Sequence, residues 1–192
     1  MAARSVSRFG SSVVLAAMLF LPVANTQAGT DIIPSAYTMI AGATGVPPDV
    51  LYAVASQESN RKIRGSRYRP WPWTLNVAGK SYYYESKDAA CRALHIALAA
   101  HDAKRVDVGI AQINLGWNPN AFAWPCQGLD PYLNLRTAGR ILRNHYNASG
   151  SWAVAAGLYH HPAGGAIAAK YQRSVEQRLK KINQQLQVAT SR

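Results

Sequence analysis

Apolar residues recur at helical spacing along most of this chain, and prolines and capping residues mark where the apolar stretches begin. The clearest stretch follows Pro47, Pro48 and Asp49, which suit the first turn of a helix because proline has no N–H to satisfy and aspartate complements the helix dipole. Its inward stripe, at positions i, i+3, i+4 and i+7, consists of Leu51, Val54, Ala55 and Glu58. The pattern predicts a helix whose last turn carries a carboxyl toward the core, although the same residue could also stand in a fraying last turn with its charge in solvent.

Five further helical stretches follow from the same reasoning. They are residues 34–41, a segment capped by Ser86 that ends near residue 100, a segment capped by Asn134, a short segment capped by Ser151, and a long segment from about Ala166. Helices therefore account for most of the predicted structure.

One part of the chain has β-strand character. Residues 61–73 are basic and aromatic without a regular period, and Pro70 and Pro72 disfavour regular structure, so this segment is predicted to be a loop. Residues 74–77 and 82–84 favour strands on either side of a turn that contains Gly79, which predicts a small hairpin. The predicted fold class is mainly α within an α+β arrangement: a single helical domain with a small β-hairpin insertion.

The first 28 residues have the pattern of a secretory signal peptide. Arg4 and Arg8 precede an apolar run, residues 13–21, that is too short for a settled bilayer helix, and residues 26–28 form a small-residue cleavage site. An uncleaved anchor is the alternative, but Pro22 interrupts the end of the apolar run. We therefore expect a periplasmic or secreted protein without a later transmembrane segment, with one domain over residues 29–188 and a disordered tail at 189–192.

The chain is strongly basic, with a formal net charge of +12, and removal of the two arginines in the signal peptide would leave +10. Such a charge attracts polyanions, which outside the cytoplasm include phospholipid surfaces, teichoic-type polymers and the carboxylates of cell-wall peptides. Nucleic acid is the other usual partner of a basic protein. We do not expect it here, because the aromatic residues cluster in one insertion and do not follow a basic groove.

The only two cysteines are Cys91 and Cys126. In an oxidising compartment, an even pair within one small domain most often forms a disulfide, so we expect this bond. The five histidines supply neither a CxxC nor an HExxH pattern, and the sequence therefore predicts neither a metal site nor a cofactor.

Three short segments occur in order along the chain: Glu58-Ser59, the run from Gly109 to Asn114 (GIAQIN), and the run from Ala155 to His160 (AAGLYH). Together they resemble the lytic transglycosylases with a lysozyme-like SLT domain, whose pattern is Glu-Ser, then Gly-x-x-Gln-Ile/Val, then a segment centred on Tyr-Asn. The resemblance covers residues 34–178. It implies a lysozyme-like fold and cleavage of peptidoglycan.

A narrower resemblance lies between the first two motifs. The segment PWPWTLNVAGKSYYYESKDAA and the later VDVGIAQIN are similar to the branch that accompanies type IV secretion, conjugation and integrative-element transfer, which implies such machines as partners. It places the insertion in the active-site wall, where Trp73 or a neighbouring aromatic would stack on a sugar ring. The alternative is that these aromatic side chains only pack the hairpin onto the domain.

The resemblance assigns roles to individual residues of the first two motifs. It makes Glu58 the catalytic acid, with Ser59 completing its motif. Gly109 would let substrate approach the backbone closely, and Gln112 would hydrogen-bond the glycan. Asn114 would lie in the floor of the cleft or cap the loop.

The third motif is matched less completely. Tyr159 corresponds to the family tyrosine that is expected to hydrogen-bond the catalytic carboxyl. His160 stands where asparagine is usual in the broad family, so it is either a substrate ligand or a solvent-facing side chain beside His161.

The activity implied by the resemblance needs only one carboxyl, which protonates the glycosidic oxygen and then, as carboxylate, activates the C6 hydroxyl to close a 1,6-anhydro ring. A lysozyme-type muramidase would need a second carboxylate, for which Asp107 is nearest to a motif. A catalytically idle wall-binding or assembly protein is the other alternative, although such a protein has no need of a buried acid.

Overall fold

The computed structural model describes Met1, residues 32–65 and residues 67–191. Apart from Met1, the expected signal peptide lies outside the described residues. The described residues from 32 onward cluster as one unit. No helix among the described residues is long and apolar enough to cross a membrane.

Six α-helices lie in the described part of the chain. In chain order they are α1 (Ser35–Thr44), α2 (Pro48–Ser59), α3 (Lys87–Ala100), α4 (Pro131–Ser149), α5 (Trp152–His160) and α6 (Gly165–Thr190). All six correspond to predicted stretches. The end of α6 at Thr190 falls within the segment 189–192 for which a disordered tail is predicted.

Two of the predicted helix caps are confirmed and one is wrong. The hydroxyl of Ser86 accepts a hydrogen bond from Ala89 N, and that of Ser151 accepts one from Val154 N. Asn134, however, does not begin α4. The helix starts one turn earlier at Pro131, because Asp130 accepts hydrogen bonds from the first free N–H groups and proline fits the first helical position.

The predicted hairpin is confirmed but belongs to a larger sheet. Strands β3 (Thr74–Val77) and β4 (Lys80–Tyr83) pair antiparallel, and β3 also pairs with β5 (Val106–Val108), which pairs with β6 (Ile113–Asn114). The strand order is β4-β3-β5-β6. The two additional strands consist of few residues each, which leaves no alternating pattern long enough to read from the sequence.

The prediction of a loop over residues 61–73 is partly wrong. Strands β1 (Asn60–Lys62) and β2 (Tyr68–Pro70) form a two-stranded antiparallel hairpin, in register Asn60 with Pro70 and Lys62 with Tyr68. Pro70 is tolerated because it stands at the end of its strand, where the missing N–H interrupts no ladder.

Two hydrophobic clusters form the interior. The helical cluster joins α1, α2, α4, α5 and α6 with the segment 110–113, and the sheet cluster joins β3, β5, α3 and the 3₁₀ turn Pro125–Leu129. Leu51, Val54 and Ala55 belong to the helical cluster and are fully buried, as the inward stripe of their helix predicts. The described residues thus form a mixed, largely helical α+β fold.

Candidate active site

A cavity of about 730 Å³ opens where the end of α2, the sheet and the end of α5 meet. Residues of all three predicted motifs line it: Glu58, Gln112, Asn114, Tyr159 and His160. Asp107 of β5 also lines the cavity, which brings a second carboxyl to the same space. The structure therefore places distant parts of the chain around one site.

Glu58 stands in the last turn of α2 with its side chain 14% exposed. Burial raises the pKa of this carboxyl to about 7, outweighing a hydrogen bond from Tyr171 that lowers it, and the nearby charge of Asp107 raises it further. A carboxyl with this pKa is substantially protonated near neutral pH. Glu58 can therefore give up a proton and, once ionised, take one back.

Tyr171, a residue of α6, holds Glu58 in place. Its hydroxyl donates a hydrogen bond of 2.5 Å to Glu58 Oε1. The tyrosine is buried, and burial together with the charge of Glu58 raises the pKa of its own hydroxyl, so it remains a donor. Tyr171 was not singled out from the sequence, and a phenol among the apolar residues on one face of the last helix is the signal that could have identified it.

The predicted hydrogen bond from Tyr159 to Glu58 is wrong. The hydroxyl of Tyr159 instead donates to the backbone oxygen of Ala111, at 2.6 Å. Tyr159 remains close enough for the charge of Glu58 to contribute to raising its pKa, after the larger effect of burial. The hydrogen bond of Tyr159 links α5 to the second motif. The tyrosine that orients Glu58 is Tyr171 of α6.

His160 lines the cavity beside the Glu58 carboxyl and also faces solvent. Its Nδ1 atom is 3.8 Å from Glu58 Oε1, and its ring stacks on Tyr171 with 4.4 Å between centroids and 7° between planes. The side chain is 46% exposed. Burial, and then the charge of His161, lower the pKa of His160, which favours a neutral imidazole at neutral pH.

Ser59 is a structural brace with no exposed surface. Its hydroxyl donates to Ile110 O at 2.6 Å and accepts from the backbone N–H of Trp71 at 3.2 Å. Ser59, the residue after the acid, thus fixes the end of α2 against the second motif and against the chain that follows the β1–β2 hairpin.

Gly109 is required by the protein's own packing, and it is not among the residues that line the cavity. Its φ is +86°, and a Cβ there would lie 2.2 Å from Gly128 O and 2.4 Å from Asn134 Nδ2. Such contacts exclude any side chain. The close approach that the glycine allows is therefore between two segments of this chain.

Gln112 lines the cavity, but its amide nitrogen is already engaged. It donates to Thr74 O at 3.1 Å and to Gly109 O at 2.7 Å, and the residue has a positive φ of 50°. These bonds use both N–H donors of the amide. Only the side-chain oxygen is left to accept a hydrogen bond from a ligand.

Asn114 both lines the cavity and caps the loop. Its Nδ2 donates to Lys104 O and to Asp107 Oδ1, at 2.9 and 2.7 Å, and its Oδ1 accepts from the N–H groups of Gly116 and Trp117. The bond from Asn114 lowers the pKa of Asp107, but the larger effect of burial raises it. Asn114 therefore positions Asp107 and the loop and has no free donor for substrate.

Asn134, predicted as a helix cap, instead hydrogen-bonds the backbone of the second motif and of the segments beside it. Its side chain is fully buried, accepts from Ala111 N at 2.8 Å and donates to Val108 O and Gly128 O, both at 2.8 Å. The sequence did not reveal this role, because an asparagine that caps a helix and an asparagine buried inside the fold can occupy the same position next to an apolar stretch.

Trp73 is not among the residues that line the cavity. It packs against the sheet cluster and makes an edge-to-face contact with Trp71 at 5.5 Å, as the packing alternative predicts. The tryptophan that does line the cavity is Trp117, which is 69% exposed and has Lys104 Nζ 4.6 Å from its ring centroid. It follows the second motif by three residues and was not singled out from the sequence.

The Cys91–Cys126 disulfide is confirmed, with 5.3 Å between the Cα atoms, and it joins α3 to the 3₁₀ turn Pro125–Leu129. His95, one turn along α3, lies with the two cysteines so that their ligand atoms are within 4.8 Å of one another. Both sulfurs are committed to the bond, and a metal ion would need them as thiolates. The oxidised pair is therefore a covalent brace for the sheet cluster.

No protein-family model, curated protein or solved structure significantly matches this chain.

Proposed function

We propose that the protein is a peptidoglycan lytic transglycosylase with a lysozyme-like fold, exported to the periplasm. The observation that carries the proposal is Glu58, a carboxyl with a pKa raised to about 7 by burial and hydrogen-bonded by Tyr171 at the edge of a cavity. The order of the three motifs and the helical fold around them support the same reaction. The branch resemblance adds a local role: opening the wall for a secretion or transfer apparatus.

The first step is protonation of the leaving oxygen. In a β-1,4 bond between N-acetylmuramic acid and N-acetylglucosamine, Glu58 gives its proton to the glycosidic oxygen while the bond from that oxygen to C1 breaks. The acetamido oxygen of the muramic acid stabilises the positive charge that develops at C1. Tyr171 keeps its hydrogen bond to Glu58 Oε1 and favours the carboxylate that this step creates.

The second step uses the same side chain as a base. The Glu58 carboxylate removes the proton of the C6 hydroxyl, and that oxygen bonds to C1 to give the 1,6-anhydro sugar. The proton returned to Glu58 restores the starting state, and no water is consumed. A pKa of about 7 serves both directions of transfer because neither protonation state is strongly favoured near neutral pH.

The cavity offers few but distinct contacts to a sugar. The face of Trp117 suits the apolar face of a pyranose ring, and the free oxygen of Gln112 accepts a hydroxyl or acetamido N–H. His160 adds an uncharged ring on the solvent side of Glu58.

Digestion of purified sacculi by the wild type and by Glu58→Gln tests the proposal. We expect the wild type to release muropeptides with anhydro ends, lighter by one water than reducing ends, and the variant to lose activity by a factor of about 10² to 10⁴. Circular dichroism of both proteins checks that the fold is kept. Activity of the variant within a few-fold of wild type would remove Glu58 from the mechanism.

Asp107 favours a second candidate, hydrolysis by a lysozyme-type muramidase. It lines the same cavity as Glu58 and is held by Asn114, so a second carboxyl is available to stabilise C1 or activate water. Mass spectrometry separates the two reactions, since hydrolysis yields reducing ends. Asp107→Asn should then abolish release of reducing ends if hydrolysis is correct, and should leave anhydro products within a few-fold of wild type if it is not.

A further inference from the structure

The β1–β2 hairpin, residues 60–70 and here called the basic hairpin, carries a dense cluster of positive charge. It contains five cationic side chains and no carboxylate: Arg61, Lys62, Arg64, Arg67 and Arg69. It follows directly after Glu58 and Ser59, yet none of its residues lines the cavity. The basic hairpin is therefore a feature that the proposed reaction does not use.

Two of these cations fasten the hairpin to the domain. Arg61 pairs with Glu85 at 2.5 Å and lies over the ring of Trp71, and Arg69 donates to Tyr52 Oη at 2.6 Å. The other three, Lys62, Arg64 and Arg67, are exposed and make no ion pair with a described residue. The base of the hairpin is thus fixed while its tip presents three cations to the outside.

Folding alone gives little reason for this arrangement. The register sets Arg61 directly opposite Arg69, and like charges across a strand pair destabilise it. Of the residues in the two strands only Pro70 is buried, and a two-stranded hairpin without a core is marginal. An external anion would reduce the separate repulsion among the exposed tip cations Lys62, Arg64 and Arg67, which suggests that their charge is kept for binding.

Two exposed tyrosines flank the hairpin. Tyr68 of β2, opposite Lys62 in the register, is 54% exposed, and Tyr83 of the edge strand β4 is 39% exposed. The hydroxyl of Tyr83 reaches Asn60 O at 3.5 Å, so β4 and the basic hairpin are neighbours. Tyrosine with arginine is the combination found where proteins rest in the headgroup region of a bilayer.

We propose that the basic hairpin, with Tyr68 and Tyr83 beside it, docks the protein on a bilayer surface rich in anionic phospholipid. Arginine suits phosphate because its guanidinium donates two parallel hydrogen bonds, and two of the three free cations are arginines. A nucleic-acid duplex would instead be held by cations spaced along its backbone, whereas these are gathered at one hairpin tip. Docking through this surface leaves the cavity unoccupied by lipid.

Co-sedimentation with vesicles tests the proposal on the mature chain. The probes are phosphatidylcholine vesicles with and without phosphatidylglycerol. We expect binding only when phosphatidylglycerol is present, and loss of binding at about 1 M salt, where charges are screened beyond roughly 3 Å. The triple variant Lys62→Gln, Arg64→Gln, Arg67→Gln should bind on the order of a hundredfold more weakly, since each cation near an anionic surface contributes separately.

A matched control removes the same charge elsewhere. Arg136, Arg140 and Lys180 are exposed residues of α4 and α6, and changing all three to glutamine should weaken vesicle binding only a few-fold. Tyr68→Ala separates the aromatic contribution and should weaken binding several-fold. Release of muropeptides from sacculi by the hairpin triple variant should stay at the wild-type level, which keeps this test independent of Glu58.

Three outcomes would overturn the proposal. Equal losses in the hairpin and control triples would show that net charge alone attracts the protein to lipid. Equal binding to vesicles without phosphatidylglycerol would remove the headgroup charge from the interaction. Tighter binding to a DNA duplex or to polyglutamate than to phosphatidylglycerol vesicles, lost in the same hairpin triple, would assign the surface to a different polyanion.

Discussion

The two carboxyls of the cavity come from opposite kinds of structure, and their environments differ accordingly. Glu58 ends a helix packed in the helical cluster, whereas Asp107 lies in a strand of the sheet cluster. Each accepts one side-chain hydrogen bond, from Tyr171 and from Asn114 respectively. Burial raises both pKa values, and at Glu58 it raises the pKa to about 7.

The two carboxyls differ in the packing that surrounds them. Side chains of five helices surround the region of Glu58, and Tyr171 reaches it from the last helix, so the carboxyl is desolvated by packing. Asp107 sits at the rim of the smaller sheet cluster, which the Cys91–Cys126 disulfide braces. One fold thus surrounds its two acids with different kinds of packing.

Removal of the disulfide should affect stability most. With a separation of 35 residues between Cys91 and Cys126, the double variant Cys91→Ser, Cys126→Ser should lose about 3 to 4 kcal/mol of unfolding free energy. Denaturant unfolding at neutral pH measures it. The sheet cluster should open before the helical cluster, so amide hydrogen exchange in the variant should be faster at Val106 and Val108 than in α2. Equal exchange rates in both clusters would show that the two clusters unfold together.

Ionisation of Glu58 should make stability depend on pH. Below its ordinary pKa of 4.5, Glu58 is protonated in the folded and unfolded states alike. As pH rises toward about 7, the unfolded state ionises while the folded state holds its proton, so the folded state loses up to about 3 kcal/mol. Glu58→Gln removes this loss and should be more stable than wild type above pH 7 but equally stable at the acid end.

Unfolding of both proteins across this pH range measures the effect. Glu176→Gln is the matched control, because Glu176 is an exposed residue of α6 whose carboxylate already accepts a hydrogen bond from Gln172. A gap between Glu58→Gln and wild type that stays constant with pH would mean that Glu58 titrates normally.

Tyr171→Phe should lower turnover roughly ten- to a hundredfold, because the carboxyl loses the group that orients it. The hydrogen bond from Tyr171 lowers the pKa of Glu58, so its loss should also move the alkaline limb of the activity profile to higher pH. Turnover of sacculi against pH measures both. Tyr37→Phe is the control, since the buried hydroxyl of Tyr37 has no hydrogen-bond partner among the described residues.

Tyr159→Phe should have the smallest effect. It removes the bond to Ala111 O, which should cost roughly 1 kcal/mol of stability and a few-fold in turnover without moving the alkaline limb. If Tyr159→Phe shifts that limb and Tyr171→Phe does not, the two tyrosines have been assigned the wrong roles.

Local patterns predicted much of this fold. Prolines with an acid at the start of α2, serine caps before α3 and α5, and a helical stripe in α6 each depend on residues close together in sequence. The stripe also predicted which side Glu58 faces. The sequence did not predict the short strands β5 and β6, because two or three residues are too few to show an alternating pattern. These segments are strands only because they pair with neighbouring strands.

Patterns within the sequence were enough to predict a helix with a carboxyl on its inward stripe, a pair of cysteines in one domain and three motifs in order. The packing of distant segments fixes which tyrosine contacts Glu58, the close approach of Gly109 to Asn134, and the position of Trp117 rather than Trp73 at the cavity. The physical reason is that periodicity and capping act within a few residues of the chain. A hydrogen bond such as that between Tyr171 and Glu58 spans 113 residues and depends on how whole helices pack.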